Sequence, residues 1–322
     1  MIYSFEKSDP ALKTFLGLLQ DSEVEYELIH RDRAVVRLLG IVEPEVDQRL
    51  QQVHASRLEP APSATTGSKI FADFLDRDCF KLIAGPCAVE SADQIAAVVT
   101  FLTQRGIRYI RGGAFKPRTS PDSFQGLGES GLKILAEQTH AAQLAVVSEA
   151  MDRSQLDVLC RYADIVQVGS RNMFNYTLLT ALGSIRKPVL LKRGMAATID
   201  EWLQAAEYIR RGGNHEIILC ERGIRTFETR TRNTLDIAAI HVAQELTIYP
   251  VIADPSHAAG RSELVTPLAL AAAAAGADGI MVEIHPDPAQ ALSDRRQALS
   301  FAQFDALSER LARIRPVPCG KR

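Results

Sequence analysis

Several features are scarce in this sequence, and each absence narrows the range of possible functions. Only five cysteines occur among the 322 residues, and no two of them form a Cys-x-x-Cys pair. Neither a disulfide framework nor a structural zinc site is therefore indicated. Positive charge is not in excess, because the formal net charge is −2. Nucleic acid is not an expected partner, and any anion site must come from a local cluster of cations.

Long uninterrupted apolar runs are also missing. The most apolar long stretch, residues 264–282, is interrupted by Pro267, Gly276 and Asp278. This pattern predicts a buried helix, a turn and a strand, and it excludes a membrane span. The N-terminal sequence MIYSFEKSDP has neither the basic region nor the apolar core of a secretory signal. We therefore expect a cytoplasmic protein with no membrane partner.

The first 60 residues predict a small domain of their own. Short apolar strands and helical patterns follow each other in the order β-α-β-β-α, which is close to a ferredoxin-like α+β module. Residues 61–79 predict a linker and a segment that caps the next domain. The stretch around this boundary, residues 57–69, is rich in Pro, Ala, Ser and Thr, as linkers are.

Residues 80–322 have a different pattern, in which eight short apolar segments alternate with eight helical ones. The segments are apolar along their whole length, as strands buried on both faces should be. Regular alternation of strands and helices indicates a parallel sheet. Eight strand–helix pairs favour a (β/α)₈ TIM barrel over a doubly wound open sheet, which is the alternative.

Polar residues follow the predicted strands in a regular way. In a barrel of this kind, catalytic groups lie just past the carboxyl ends of the strands. A single Lys or Arg there could be an ordinary exposed loop residue. A whole set beside apolar strands needs partners, because burying unpaired charge is costly, and it predicts a site for more than one phosphate or carboxylate. The cations are Arg111, Lys116, Arg118, Arg171, Lys192, Arg193, Arg222 and Arg225, and the other polar groups are Cys87, Glu149, Glu221, Asp254, His257, Glu283 and His285.

A metal site is predicted by residues from the first, seventh and eighth strands, which are neighbours once the barrel closes. Cys87, His257 and Glu283 are the candidate ligands, with Asp294 or Asp254 as a fourth. Each alone would be unremarkable, since a buried thiol or a loop histidine is common. Together, sulfur, nitrogen and oxygen donors suit Mn, Fe, Co, Zn or Cu better than Mg or Ca.

The strand-end segments resemble those of the 3-deoxy-D-arabino-heptulosonate 7-phosphate (DAHP) synthases, and most closely the bacterial type I beta-like form. The resemblance covers residues 80–314 and includes motifs at all eight strand ends. It implies a metal-dependent, aldol-like condensation of phosphoenolpyruvate with erythrose 4-phosphate and water, the first step of the shikimate pathway to chorismate and the aromatic amino acids. The segments are IAGPCAVES, RGGAFKPRTSPDSFQG, QVGSRNM, LLKRG, ILCERGIRTFE, DPSHAAGR and MVEIHPDPAQALSD.

The resemblance also implies a role for individual residues. It implies a divalent metal cofactor, with Mn²⁺ as the expected ion and Fe²⁺, Co²⁺, Zn²⁺ or Cu²⁺ as alternatives. It also implies that the catalytic groups are Lys116, Cys87, His257 and Glu149. The proton donor stays open between Lys116 and a metal-bound group. The implied metal ligands are Cys87, His257, Glu283 and Asp294; the phosphoenolpyruvate residues are Arg111, Lys116, Arg171, Lys192 and Arg222; and the erythrose 4-phosphate residues are Pro117, Arg118 and Thr119.

One departure from the family and two alternative functions qualify this assignment. Family members often have glycine after the aspartate, where this chain reads SDRR, so Asp294 is the least secure ligand. The first alternative is the related 3-deoxy-D-manno-octulosonate 8-phosphate synthase, which uses arabinose 5-phosphate and typically reads KAN where this chain reads KPR. The second is a phosphate-sensing barrel without catalysis, which would need no metal ligands.

The resemblance also implies a homotetramer or homodimer, and feedback by tyrosine or phenylalanine through residues 1–60.

Overall fold

The structure is a computed structural model of the chain. It describes residues 2–6, 10–30, 33–38, 45–46, 49–50, 56–57, 68–116 and 122–315. The chain forms two compact units, residues 1–65 with 244–248, and residues 66–243 with 249–322. None of the helices in the described ranges is long and apolar enough to cross a membrane.

The first unit contains an antiparallel sheet in which the first strand lies between the third and the fourth, and the second strand lies at the edge beside the third. Helix α1 (Pro10–Asp21) starts at a proline, whose fixed φ suits a first helical turn. Its buried face carries Leu12, Phe15 and Leu19, which cluster with Val36 of the sheet. The ferredoxin-like assignment stays a prediction. The strands are β1 (Ile2–Glu6), β2 (Tyr26–His30), β3 (Arg33–Leu38) and β4 (Ser56–Arg57).

The second unit is a closed barrel of eight parallel strands, which confirms the predicted (β/α)₈ TIM barrel. Neighbouring strands follow each other in sequence, and the last strand pairs with the first, for example at Glu283 and Gly85. The strands are β5 (Lys81–Gly85), β6 (Tyr109–Arg111), β7 (Ala145–Ala150), β8 (Ile165–Val168), β9 (Val189–Lys192), β10 (Ile217–Glu221), β11 (Val251–Ala253) and β12 (Gly279–Glu283).

Helices accompany each barrel strand, and all eight predicted helices are present. The one predicted over residues 233–245 begins only at Ile237, because the backbone of Asn233 and Thr234 bonds to Ala258 and Ile224 instead. The helices are α2 (Lys69–Leu75), α3 (Ala92–Gln104), α4 (Glu129–His140), α5 (Leu156–Tyr162), α6 (Tyr176–Leu182), α7 (Ile199–Arg211), α8 (Ile237–Leu246), α9 (Pro255–Ala259), α10 (Ser262–Ala274) and α11 (Phe301–Leu311).

The interior of the barrel is apolar at its amino end. Phe71 and Phe74 of α2 pack in one cluster with interior residues such as Tyr109 and Ile165, each the first residue of its strand. Ser68 caps α2, since its side chain accepts a hydrogen bond from the backbone of the helix's first turn. Helix α2 thus closes the amino end, where buried Lys81 of β5 is a polar exception that donates from Nζ to the carbonyl of Asp76.

Candidate active site

Charged residues stand at the carboxyl ends of the barrel strands. Arg111 ends β6, Lys192 ends β9, Glu221 ends β10 and Glu283 ends β12, and each of these side chains is buried. Because all eight strands are parallel, their carboxyl ends meet in one mouth. The structure therefore collects buried charges of both signs in one place, where low polarity strengthens their interactions.

The predicted metal ligands lie together in this mouth. Among the described residues, one ligand atom each from Cys87, Glu283 and Asp294 lie within 4.8 Å of one another. Cys87 Sγ is 3.1 Å from Asp294 Oδ2. His257 joins them through Glu283, with its Nε2 3.2 Å from Glu283 Oε1. The mixed sulfur, nitrogen and oxygen donors fit a borderline divalent metal.

The protonation states of these groups also fit a metal. Burial lowers the pKa of His257 despite the nearby carboxylates, which favours the neutral imidazole that a metal needs. Burial opposes ionisation of Asp294, but His257, a hydrogen bond from Cys87 and Arg232 lower its pKa to about 2. Burial and the charge of Glu283 raise the pKa of Cys87 to about 12, so its thiol gives up a proton when a metal binds.

Two residues that the sequence did not single out hold the carboxylates of two predicted ligands. Gln297 donates from Nε2 to Glu283 Oε2 at 2.7 Å, and its Oε1 accepts from Arg232 at 3.1 Å. The same Arg232 nitrogen lies 3.4 Å from Asp294 Oδ1. No local motif marks Gln297 or Arg232, so only the folded chain could identify them.

The loop after Asp294 is tight although it lacks the family's glycine. Asp294 itself has a φ of 50°, in the left-handed region that aspartate tolerates better than most residues. The backbone N–H of Gln297 then donates to the carbonyl of Asp294 at 3.1 Å and closes the turn. Asp294 thus points at Cys87 with arginine, and not glycine, as the next residue.

Asp254, the other candidate for a fourth ligand, lies on the opposite side of the histidine ring. Its Oδ2 is 2.7 Å from His257 Nδ1, whereas the ring's Nε2 faces Glu283. The same Oδ2 bonds to Lys192 Nζ. The geometry therefore favours Asp294 over Asp254 as a ligand.

Two buried cations in the mouth have free donors among the described residues. Arg111 Nη2 lies 3.2 Å from Glu283 Oε1, but its Nε and Nη1 have no hydrogen-bond partner in the described part of the chain. The same is true of Arg222 Nη1. Lys116 Nζ donates to the carbonyl and the sulfur of Cys87 at 2.8 and 3.0 Å. Unpaired buried N–H groups are costly, so these guanidinium groups indicate an anionic ligand.

Arg193 is a buried cation with a different role. Its Nη1 lies 3.0 Å from both Glu221 Oε2 and Asp236 Oδ2, and its Nε donates to the carbonyl of Ala197. Glu221 also accepts from the backbone of Gly223 at 2.7 Å. The side chains of Arg193 and Glu221 both fit the strand-end pattern, but they pair with each other and therefore stabilise the structure around the mouth.

Glu149 lies on β7, and Arg171 follows the end of the neighbouring strand β8. Glu149 accepts from Gln167 Nε2 at 2.9 Å. A Cβ at Gly169 would lie 2.1 Å from Glu149 Oε1, so only glycine leaves room for this carboxylate. Arg171 is exposed on a 3₁₀ turn, Ser170–Asn172, that follows Gly169.

The predicted erythrose 4-phosphate residues, Pro117, Arg118 and Thr119, lie outside the described residues. Lys116 immediately precedes them and is placed with its side chain in the mouth. Their assignment therefore rests on the sequence.

Comparisons with known proteins bear on this site. A family model described as the DAHP synthetase I family matches residues 75–315. A phospho-2-dehydro-3-deoxyheptonate aldolase of Thermotoga maritima is 51% identical over 235 residues, covering 73% of this chain and 70% of that protein. A 2-dehydro-3-deoxyphosphooctonate aldolase of Desulfotalea psychrophila is 31% identical over 252 residues, covering 73% of this chain and 89% of that protein. The crystal structure of a Thermotoga maritima phospho-2-dehydro-3-deoxyheptonate aldolase (DAHP synthase) aligns with a TM-score of 0.72 and 40% identity, covering 97% of each chain.

Proposed function

The chain belongs to the DAHP synthetase I family, and from this premise we propose that it is a 3-deoxy-7-phosphoheptulonate synthase, a transferase that forms a carbon–carbon bond. It condenses phosphoenolpyruvate with D-erythrose 4-phosphate and water, and releases DAHP and phosphate. The observation that carries the proposal is one buried mouth that joins a mixed ligand cluster to guanidinium groups with free donors. The higher identity to the heptonate enzyme than to the octonate enzyme supports the same choice.

The metal is a divalent ion, with Mn²⁺ as the expected one, and it would be held by Cys87, His257, Glu283 and Asp294. When bound, it supplies Lewis acidity to an aldehyde oxygen. Gln297 and Arg232 keep the two carboxylates in place by the hydrogen bonds described above. Such outer contacts commonly matter for metal affinity nearly as much as the ligands themselves.

Phosphoenolpyruvate binds through cations that the fold supplies. Arg111 and Arg222 present their free N–H groups to its phosphate and carboxylate, and Lys116, Lys192 and Arg171 complete the set. Fixing both charged groups sets the position of C3 against the aldehyde carbon and removes the entropy cost of alignment from the chemical step. A buried mouth also makes each charge contact stronger than in water.

The bond changes follow from this placement. C3 of phosphoenolpyruvate forms the new bond to the aldehyde carbon, whose oxygen takes up a proton. A water oxygen adds at C2, on the side lined by Glu149, and phosphate leaves with cleavage of its C2–O bond. Lys116 donates this proton to the aldehyde oxygen, or relays to that oxygen the proton that the adding water loses. Burial acts to lower its pKa, but Cys87 and Glu149 raise it above the usual value, so Lys116 stays protonated.

The second substrate is set by the segment that follows Lys116. Pro117 fixes its own φ and so limits the directions in which Arg118 and Thr119 can point. Arg118 binds the phosphate of the four-carbon sugar, which lies closer to the reacting carbon than that of a five-carbon sugar. The octulosonate enzyme typically has an amide at this position, and an amide carries no charge for the phosphate.

Substrate selectivity tests this function. The purified full-length chain, saturated with Mn²⁺, is given phosphoenolpyruvate and either erythrose 4-phosphate or arabinose 5-phosphate, and phosphate release is followed. We expect turnover with erythrose 4-phosphate and far slower turnover with arabinose 5-phosphate. The reverse preference would favour the octulosonate synthase, and binding of phosphoenolpyruvate without turnover of either sugar would favour a phosphate sensor.

The remaining proposals concern the rest of the chain. Residues 1–60 are a regulatory domain that responds to tyrosine or phenylalanine, in keeping with a small unit of its own sheet and apolar cluster. The enzyme works in the cytoplasm as a homotetramer or homodimer, as members of its family do. The effect of each aromatic amino acid on initial rates, and the mass in solution, test these two points.

A further inference from the structure

Asp254 stands between the two functional parts of the mouth. It follows β11 and is fully buried. Its Oδ2 lies 2.5 Å from Lys192 Nζ and 2.7 Å from His257 Nδ1, and its Oδ1 accepts from the backbone N–H of His257 at 3.0 Å. One carboxylate oxygen is therefore shared by a cation of the phosphoenolpyruvate set and a ligand of the metal set.

The direction of the hydrogen bond at His257 follows from the two sides of its ring. Nε2 faces Glu283, another metal ligand, and Nδ1 faces Asp254. A neutral imidazole donates from one nitrogen only. With Nε2 needed for the metal, the proton is on Nδ1 and is donated to Asp254. A carboxylate behind a ligating histidine fixes its tautomer and orientation.

Sharing one oxygen makes the two contacts compete. Lys192 Nζ and the Nδ1–H of His257 are both attracted to the negative charge of Asp254 Oδ2. A metal at Nε2 withdraws electron density from the ring, so Nδ1–H becomes a stronger donor and takes a larger share of that charge. The hold of Asp254 on Lys192 then weakens, and the ammonium is more available to an anion bound in the mouth.

We propose that Asp254 is a positioning residue that couples the two sites, so that metal binding at His257 frees Lys192 for phosphoenolpyruvate. This inference rests on the proposed function for the identity of the anion. Linkage requires that the coupling be reciprocal, so phosphoenolpyruvate raises the affinity for the metal by the same factor. Couplings of this kind usually change affinity by about 5–150-fold.

Binding measurements on the full-length chain test the proposal without turnover. Isothermal titration gives the phosphoenolpyruvate affinity of chelator-treated and Mn²⁺-saturated protein, with no sugar phosphate present. Titration with Mn²⁺, with and without phosphoenolpyruvate, gives the reciprocal factor. We expect Mn²⁺ to raise the phosphoenolpyruvate affinity of the unmodified chain by about fivefold or more.

Asp254→Asn should reduce this factor to less than about twofold, since an amide lacks the charge that the two donors share. The phosphoenolpyruvate affinity of the metal-free variant should not fall, because Lys192 no longer faces a carboxylate. Gln297→Met is the matched control. It removes the donor to Glu283 but leaves Asp254 and Lys192 intact, so it should weaken Mn²⁺ binding and keep the coupling factor.

Three results would overturn the proposal. The first is a factor below twofold in the unmodified chain, and the second is an unchanged factor in Asp254→Asn. The third is a fall in the phosphoenolpyruvate affinity of the metal-free Asp254→Asn variant, which would indicate a structural role only. If Asp254→Asn does not fold, Lys192→Met tests the proposal in its place. This variant keeps Asp254 as the cap of α9 and should also lose the coupling. A coupling factor retained in Lys192→Met would refute the proposal. Absence of product from phosphoenolpyruvate and erythrose 4-phosphate would instead contradict the proposed function.

Discussion

Arg193 and Arg222 look alike in sequence, but we expect them to have different roles. Replacing each of them by methionine in turn separates these roles. Both arginines stand at the carboxyl end of a barrel strand, and their side chains are equally buried, at 5% and 4% exposure. Arg193 is paired with Glu221 and Asp236. Arg222 has a buried Nη1 without a partner among the described residues, and burial lowers its pKa. The first arginine should therefore stabilise the fold, and the second should bind the anion.

The magnitudes follow from these partners. Arg193→Met leaves Glu221 buried without its cation, and breaking a buried pair in this way costs about 3–5 kcal/mol of unfolding free energy. Arg222→Met removes a charge that burial already disfavours, so we expect a change within about 1 kcal/mol. The same variant should lower kcat/KM by about 10²–10³, by analogy with the loss of one donor to a developing charge.

The assay uses a probe that the chain already contains. Trp202 is the only tryptophan, is fully buried, and donates from Nε1 to the carbonyl of Leu191, next to Lys192. Its fluorescence during urea unfolding reports on the barrel, with phosphoenolpyruvate absent. If Arg222→Met were as destabilised as Arg193→Met, or if Arg193→Met kept full stability, the distinction drawn from the contacts would be wrong.

The remaining predictions concern the metal, Glu149 and the first unit. Cys87→Ser and His257→Ala should each abolish metal-dependent turnover, and full turnover by either variant after chelator treatment would exclude the metal role. Gly169→Ala should displace Glu149, because its Cβ would lie 2.1 Å from Oε1; we expect a lower kcat, and Ala163→Gly, at a buried site away from Glu149, is the control for a general loss of stability. Deleting residues 1–66 should leave turnover and remove inhibition by tyrosine or phenylalanine; equal inhibition of the truncated enzyme would contradict a regulatory role.

The barrel was predictable from sequence because its strands are apolar along their length and alternate with helices. That topology also predicts which residues reach the mouth, since each strand end is recognisable. The partners of those residues were not predictable. Arg193 and Arg222 share the same local pattern, and the long-range contacts of Arg193 with Glu221 and Asp236 tell them apart.

Other features depended on contacts between distant segments. Gln297 and Arg232 lie 65 positions apart and meet at Asp294 and Glu283, which no periodicity could indicate. Helix α9 is only five residues long and lies in the strand-end segment DPSHAAGR, where no helix was predicted. Its cap by Asp254 orients His257 so that Nε2 faces Glu283.

Anomalous diffraction from crystals grown with Mn²⁺ and phosphoenolpyruvate tests the central claim most directly. We expect one manganese peak among Cys87 Sγ, His257 Nε2 and the carboxylates of Glu283 and Asp294, with the phosphoenolpyruvate anion against Arg111 and Arg222. A manganese peak held by other residues, or phosphoenolpyruvate bound away from these two arginines, would contradict it.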